Sequence, residues 1–199
     1  MLHTPYTNYL EILSKMRDIR RIFVHCTAGS QKQTLKDLLN EFKHKGWSAP
    51  GYHYVVFPDG KVEQLLAEDK VSNGVQGYNS TAINVAYVGG IDASGRTCDN
   101  RTEAQKTALG DLLSSLKRKY PNAHIMGHRD IWGKKPSQWK KQCPCFDAEK
   151  EYAYLDDIKL EKYEDAEPAP ISMPLFATEE EVDHTNIWDK IKKLCPWKR

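Results

Sequence analysis

"AINVAYVGG", Ala82 to Gly90, is nearly continuous apolar sequence without a charge. A strand with one wet face alternates apolar and polar residues, whereas a strand covered on both faces does not. This stretch therefore predicts a central strand with other layers packed on each side of it. The segments around it fit that reading. "RRIFVHCTAG" (Arg20–Gly29) is a short apolar run with a β-branched bias, so a second buried strand ending near His25. "AHIM" (Ala123–Met126) is a third, delivering His128 just past its end. "YHYVVFPDGKVEQL" reads as two strands around the turn Pro58-Asp59-Gly60.

Helical periodicity fills the gaps between these strands. Leu35, Leu38, Leu39 and Phe42 recur at helical spacing, and Gly46 is a natural stop. "TEAQKTALGDLLSSLKRKYP" opens on the capping-box pair Thr102 and Gln105 and carries Leu109, Leu112, Leu113 and Leu116 on one face. It ends at Pro121, and a last helix is expected from Asp147. Interleaved strands and helices predict an α/β domain: a mixed central β-sheet flanked by helices.

The chain has 199 residues, enough for one ordinary domain with a core and an appendage. We place an N-terminal extension at 1–19, the α/β domain at 20–160, an acidic, proline-containing linker at 161–185 and a short basic tail at 186–199. In the tail, Ile187, Trp188, Ile191 and Leu194 share a face opposite lysines. That face either docks back on the domain or contacts the envelope surface. The formal net charge is +2 and no long basic face is evident, so no nucleic-acid partner is expected. No apolar run approaches the roughly 20 residues of a membrane span. The N-terminus lacks the apolar core of a secretory signal, which predicts a protein held in the cytoplasm until something else releases it. Five cysteines without a signal argue against a disulfide framework and leave metal binding or plain burial.

"GHRDIWGKKPSQWKKQCPCFD" (Gly127–Asp147) sharpens that choice. Zinc favours imidazole nitrogen and thiolate sulfur, and a catalytic zinc takes three protein ligands and keeps one position open. His25 and His128 fall at strand ends and Cys143 precedes Pro144, where the chain turns. Two imidazoles and one thiolate spread over a domain make a reasonable catalytic set. Each alone reads as well as a satisfied polar residue or a small buried side chain.

The motifs "FVHCTAG", "GYHYVVFPDGKVE", "GYNSTAINVAYVGGID", "GHRD" and "CPCFD" occur in this order from Ile22 to Asp147. Together they resemble the zinc-dependent N-acetylmuramoyl-L-alanine amidases of type 2, in particular the amidase-type phage lysozymes, which share a fold with the peptidoglycan recognition proteins. The resemblance implies zinc (Zn2+) as cofactor, with His25, His128 and Cys143 as ligands. It implies Tyr52 of "GYH" and Lys141 as catalytic residues, and Cys145 at a variable position. His53 matches a family position near the metal, where it would contact a ligand or the substrate. The implied reaction is hydrolysis of the amide between N-acetylmuramic acid and L-alanine of peptidoglycan by a monomeric endolysin. A bacterial autolysin or recycling enzyme and a non-catalytic peptidoglycan-binding module are the alternatives.

Without the resemblance, Tyr52 reads as a core tyrosine and Lys141 as one solvated lysine among several. Asp130 and Asp147 read equally as helix caps or histidine partners, or as residues that do chemistry. His3, His44, His124 and His184 read as bystanders, and Cys26, Cys98, Cys145 and Cys195 as free thiols. There is one departure from the family pattern. Phage-type relatives carry a histidine where this chain has Gly74, so a substrate contact or proton relay is either missing here or supplied by Asn73.

Overall fold

The computed structural model describes residues 17–156. The linker and basic tail read from the sequence, and most of the N-terminal extension, lie outside the described residues, as do His3, His184 and Cys195. Five strands form one sheet: β1 (Arg21–Cys26), β2 (Tyr54–Val56), β3 (Val62–Gln64), β4 (Ala82–Tyr87) and β5 (His124–Gly127). Their spatial order is β3-β2-β4-β1-β5. β4 runs parallel to β1 and β2, β1 runs parallel to β5, and β3 pairs antiparallel with β2 through the expected turn. The sheet is mixed, and β4 occupies its middle with every one of its residues buried.

The two faces of the sheet have separate cores. Ile22, Val24 and Cys26 of β1 and Ile83, Val85 and Tyr87 of β4 pack against helix α2 (Glu103–Lys119) through Leu109, Leu113 and Leu116. On the other face, Ala86 of β4, with Val88 beyond its end, meets Leu38 and Phe42 of helix α1 (Leu35–His44). Side chains alternate along a strand. Phe23, His25 and Asn84 are therefore on the α1 side. This is the face on which a cleft can open.

Both long helices begin in capping boxes. Thr102 and Gln105 form the one expected for α2, while Thr34 and Asp37 form a second at α1 that the sequence reading did not anticipate. Gln105 also serves the sheet. Its side chain is fully buried, and its Nε2 donates to the carbonyls of Val56 (3.1 Å) and Val88 (2.8 Å) while Oε1 accepts from the Thr102 amide (3.1 Å). The start of α2 is thus locked to the C-terminal ends of β2 and β4. The third helix, α3 (Ala148–Glu151), is capped by Asp147.

The residues just before β1 are part of the packed structure. Ile19 is 6% exposed within the core. The Arg17 guanidinium donates to five carbonyls: Ser80 (3.2 Å), Glu68 (2.8 Å), Lys70 (2.6 Å), Asn79 (2.5 Å) and Ala82 (2.7 Å). His53 lies beside it, fully buried. Its Nδ1 accepts from the Asn84 amide at 3.0 Å, so its Nε2 carries the hydrogen and donates to Lys70 O at 3.1 Å. Burial first, and the Arg17 charge after it, lower the His53 pKa to about 4.

Two tests follow from these buried polar groups. Gln105→Leu keeps the volume but strands the Val88 carbonyl and the Thr102 amide and leaves the Val56 carbonyl only its bond from the Val88 amide; it is expected to lower the unfolding free energy by about 1–3 kcal/mol in urea titration. His53 binds a proton in the unfolded chain near pH 6.5 but in the fold only near pH 4. Between those values the unfolded state holds more protons, so stability falls as pH falls. In chelator, the urea midpoint should decline steadily from pH 6.5 to 4, with the His53 imidazole resonances titrating at the lower end. A flat midpoint across that window contradicts the assignment.

Candidate metal centre and catalytic cleft

The parallel pairing of β1 with β4 and β5 brings three C-terminal strand ends together. Crevices at such ends are where open α/β sheets bind ligands. His25 is the fifth residue of β1, and His128 follows directly on β5, which pairs with β1 up to Val24 and Gly127. The two imidazoles therefore stand side by side, with ring centroids 4.8 Å apart. A 3-10 turn, His128–Trp132, fixes the second one. Asp130 closes that turn by accepting the Gly127 amide at 2.6 Å, and Trp132 stacks on the His128 ring at 5.4 Å. Asp130 and Asp147 are thus caps, one of the readings the sequence left open.

Cys143 comes from the loop that returns across the strand ends. That loop is stitched down on every side. The Arg129 amide donates to Cys143 O (2.9 Å) and the Tyr87 hydroxyl donates to Pro144 O (2.8 Å). Arg101, with a side chain 2% exposed, pairs with Asp99 and Glu151 and lies 3.3 Å over the Phe146 ring. The sulfur itself accepts the Cys26 amide at 3.3 Å. Cys145 instead sits with its Sγ 3.8 Å from that of Cys26, away from the histidines, and Cys26, Cys98, Cys143 and Cys145 are all unbridged.

Three ligand atoms converge. His25 Nδ1 is 3.2 Å from His128 Nδ1 and 3.7 Å from Cys143 Sγ. Among the described residues this is the group of His, Cys, Asp and Glu side chains that could hold a metal ion. Zinc bonds of about 2.0–2.3 Å at tetrahedral angles set ligand atoms about 3.3–3.6 Å apart, so the observed spacing fits such an ion closely. Charge state fits as well. Burial, with a smaller effect of Lys141, holds the His25 pKa at about 4 against the raising effect of its Asn84 bond. Burial, then His25 and Lys141, hold that of His128 at about 3. Both imidazoles are neutral at pH 7, with lone pairs available.

A cleft of about 160 Å³ opens over this group, and Tyr52 and Lys141 both line it. The Tyr52 ring is 5.1 Å from the His25 ring and is braced edge-on by Phe42 at 5.6 Å. Burial, followed by the nearby thiol groups, raises its pKa well above the usual range for a phenol, so it keeps its proton. Lys141 is an exposed residue of the rim. A larger hollow of about 420 Å³ lies elsewhere, lined by Arg17, Tyr54, Glu68, Lys119 and Tyr120. Its Glu68 carboxylate is bonded to Lys119 and to the Tyr54 and Tyr120 hydroxyls, its Asp69 carboxylate pairs with Lys70 at 3.1 Å, and no histidine or cysteine lines it among the described residues.

One expectation is corrected by the geometry. His53 does not line the cleft; both its nitrogens are used in the interior, one by the Asn84 amide and one by Lys70 O. Asn73 does reach the cleft, and its side-chain amide donates to Ala49 O at 2.8 Å. The space above Gly74 is occupied by Asn84, whose side chain lies 2.3 Å from where a Cβ at residue 74 would stand. Asn84 was missed from the sequence. Its signal was present: it is the single polar side chain in the otherwise apolar run of β4. Lys45 and Trp47 on the cleft wall, with the ammonium 4.9 Å over the indole, carried no comparable mark. His44 and His124 are exposed and take no part.

Comparison with known proteins agrees with this arrangement. The family model described as N-acetylmuramoyl-L-alanine amidase matches residues 15–146. The endolysin of Klebsiella phage KP32 is 39% identical over 136 residues, covering 67% of this chain and 85% of that protein. Among solved structures, the Ph2119 endolysin from a Thermus scotoductus MAT2119 bacteriophage superposes with a TM-score of 0.55 at 25% identity, over 76% of this chain and 96% of the other. Bumblebee PGRP-SA shares the fold, with a TM-score of 0.53 at 15% identity over 68% of this chain and 81% of its own. No helix among the described residues is long and apolar enough to cross a membrane. With its matched region spanning the whole sheet and all three converging ligand atoms, the chain belongs to the N-acetylmuramoyl-L-alanine amidases of type 2.

Proposed function

We propose that this chain is a zinc-dependent amidase of the phage endolysin kind. It cuts the amide between the lactyl group of N-acetylmuramic acid and the L-alanine of the stem peptide. The observation that carries the metal reading is the convergence of His25 Nδ1, His128 Nδ1 and Cys143 Sγ at the floor of a cleft. These three residues hold the ion, and a zinc ion bound there supplies a Lewis acid that activates water for attack on an amide at neutral pH. The endolysin context is supported by the phage relatives.

The remaining residues supply electrostatics and protons. Attack on an amide carbonyl places negative charge on its oxygen. Tyr52 keeps its proton far above neutral pH and so can donate a hydrogen bond to that oxygen as the charge grows. Lys141 on the rim adds positive charge on the same side of the cleft. The leaving amine must take up a proton, and among the described residues no glutamate lines the cleft to provide it. Tyr52, Lys141 and Lys45 are proton-bearing side chains that line the cleft.

Incubating the protein with muropeptides of known structure, followed by mass spectrometry, tests this directly. Free stem peptides beginning in L-alanine are expected, abolished by chelator and restored by zinc. Cys143→Ser should lose both bound zinc and product. Intact muropeptides from folded, zinc-loaded protein would make it a binding module instead. Tyr52→Phe and Lys141→Ala should each lower kcat by about 100- to 1000-fold while zinc content stays at the wild-type level. A variant that keeps its rate removes that residue from the chemistry.

A further inference from the structure

We propose that Asn84 is the positioning residue that decides which nitrogen of His25 faces the metal site, and that residue 74 is glycine because this amide needs its space. The inference rests on reading His25, His128 and Cys143 as a metal site. It follows from hydrogen-bond polarity alone, starting at a group whose role is not in question.

The Val75 main-chain amide can only donate, and it points at Asn79 Oδ1 at 2.7 Å. That atom of Asn79 is therefore the carbonyl oxygen. The Asn84 atom 3.3 Å from it must then be the NH2 group, which also donates to Ser72 Oγ at 2.8 Å. With its nitrogen committed to the 72–79 loop, Asn84 turns its oxygen to His25 Nε2 at 2.9 Å. An amide oxygen only accepts, so His25 Nε2 carries the hydrogen. A neutral imidazole has one N–H. The lone pair is left on Nδ1, the atom that faces His128 Nδ1 and Cys143 Sγ.

The chain of polarity thus runs from a backbone amide to the metal-facing nitrogen through two asparagines. Burial keeps it from being shortcut: Asn84 is 0% and His25 1% exposed. The main chain of Asn84 is held too, because its amide donates to His53 Nδ1 and its carbonyl accepts from the His53 amide at 2.8 Å. His128 has a different support, the stacked Trp132 ring, which sets its plane and leaves the choice of tautomer free. Gly74 completes the device. A Cβ there would stand 2.3 Å from both Cγ and Oδ1 of Asn84, so any side chain pushes the amide off His25. Groups that orient metal ligands in this way typically change metal affinity by about 10- to 100-fold when removed.

The test uses the full chain. In metal-free protein labelled with 15N-histidine, long-range 1H–15N correlation should show His25 as the Nε2–H tautomer. In competition with a chelator, Asn84→Ala and Gly74→Ala should each weaken zinc binding by about 10- to 100-fold. Asn84→Asp keeps an acceptor towards His25 and should recover most of that loss, which a purely structural role would not explain. An Nδ1–H His25 in the wild type overturns the inference, whether or not any variant folds. So does wild-type zinc affinity in a folded Asn84→Ala and Gly74→Ala. A wild-type protein that binds no zinc refutes the metal reading instead, a result separable from the tautomer measured without metal.

Discussion

The parallel pairing of β1 with β4 on one side and β5 on the other is the constraint on which the site depends. Parallel neighbours point their C-terminal ends the same way, and here that puts His25, His128 and the landing place of the Cys143 loop at one edge. Register does the rest. Val24 pairs with Gly127, so the next residue along each chain is a histidine, and the two rings meet without either loop reaching for the other. Slipping β5 by one residue would turn every side chain of that strand to the opposite face. Burial holds that register, since Ile125 of β5 shares the core under α2 with Ile22 and Val24 of β1.

Around that edge the protein satisfies its buried polar groups with a few multi-bonded side chains. Arg17 caps five carbonyls of the 68–82 region, Gln105 ties α2 to two strands, and Arg101 holds α3 and the ring of Phe146 to the segment before α2. Each sits between elements distant in sequence. Each would leave buried donors or acceptors unpaired if lost, a larger cost than the net gain from an average hydrogen bond. This places rigidity where the chemistry needs it. His25 lies on a strand, His128 opens the 3-10 turn that follows β5, and Cys143 lies on a loop pinned at several points.

The site is also tuned by what is absent around it. No carboxylate touches either imidazole, so burial governs their titration and keeps them neutral. The partner of His25 is a neutral amide, which orients the ring without adding charge. Orientation by an amide rather than a carboxylate adds no negative charge to the donor set.

Much was determined by the sequence alone. The nearly continuous apolar run of β4 announced a strand buried on both faces, because a half-exposed strand must alternate. The leucine spacings marked both long helices, and Thr102 with Gln105 marked the start of α2. Histidines at strand ends and a cysteine before proline offered the right donor atoms, and the ordered motifs pointed to the family. The tertiary structure decided the rest. It brought residues 25, 128 and 143 to one point, chose Cys143 over Cys145, and turned His53 away from the cleft. It also revealed Asn84 as the partner of His25 and the reason for glycine at 74. These depend on which strands are neighbours and in what register. Spacing along a chain reports the face a side chain takes within its own element. It is silent on what a different element, folded back across a hundred residues, sets in front of it.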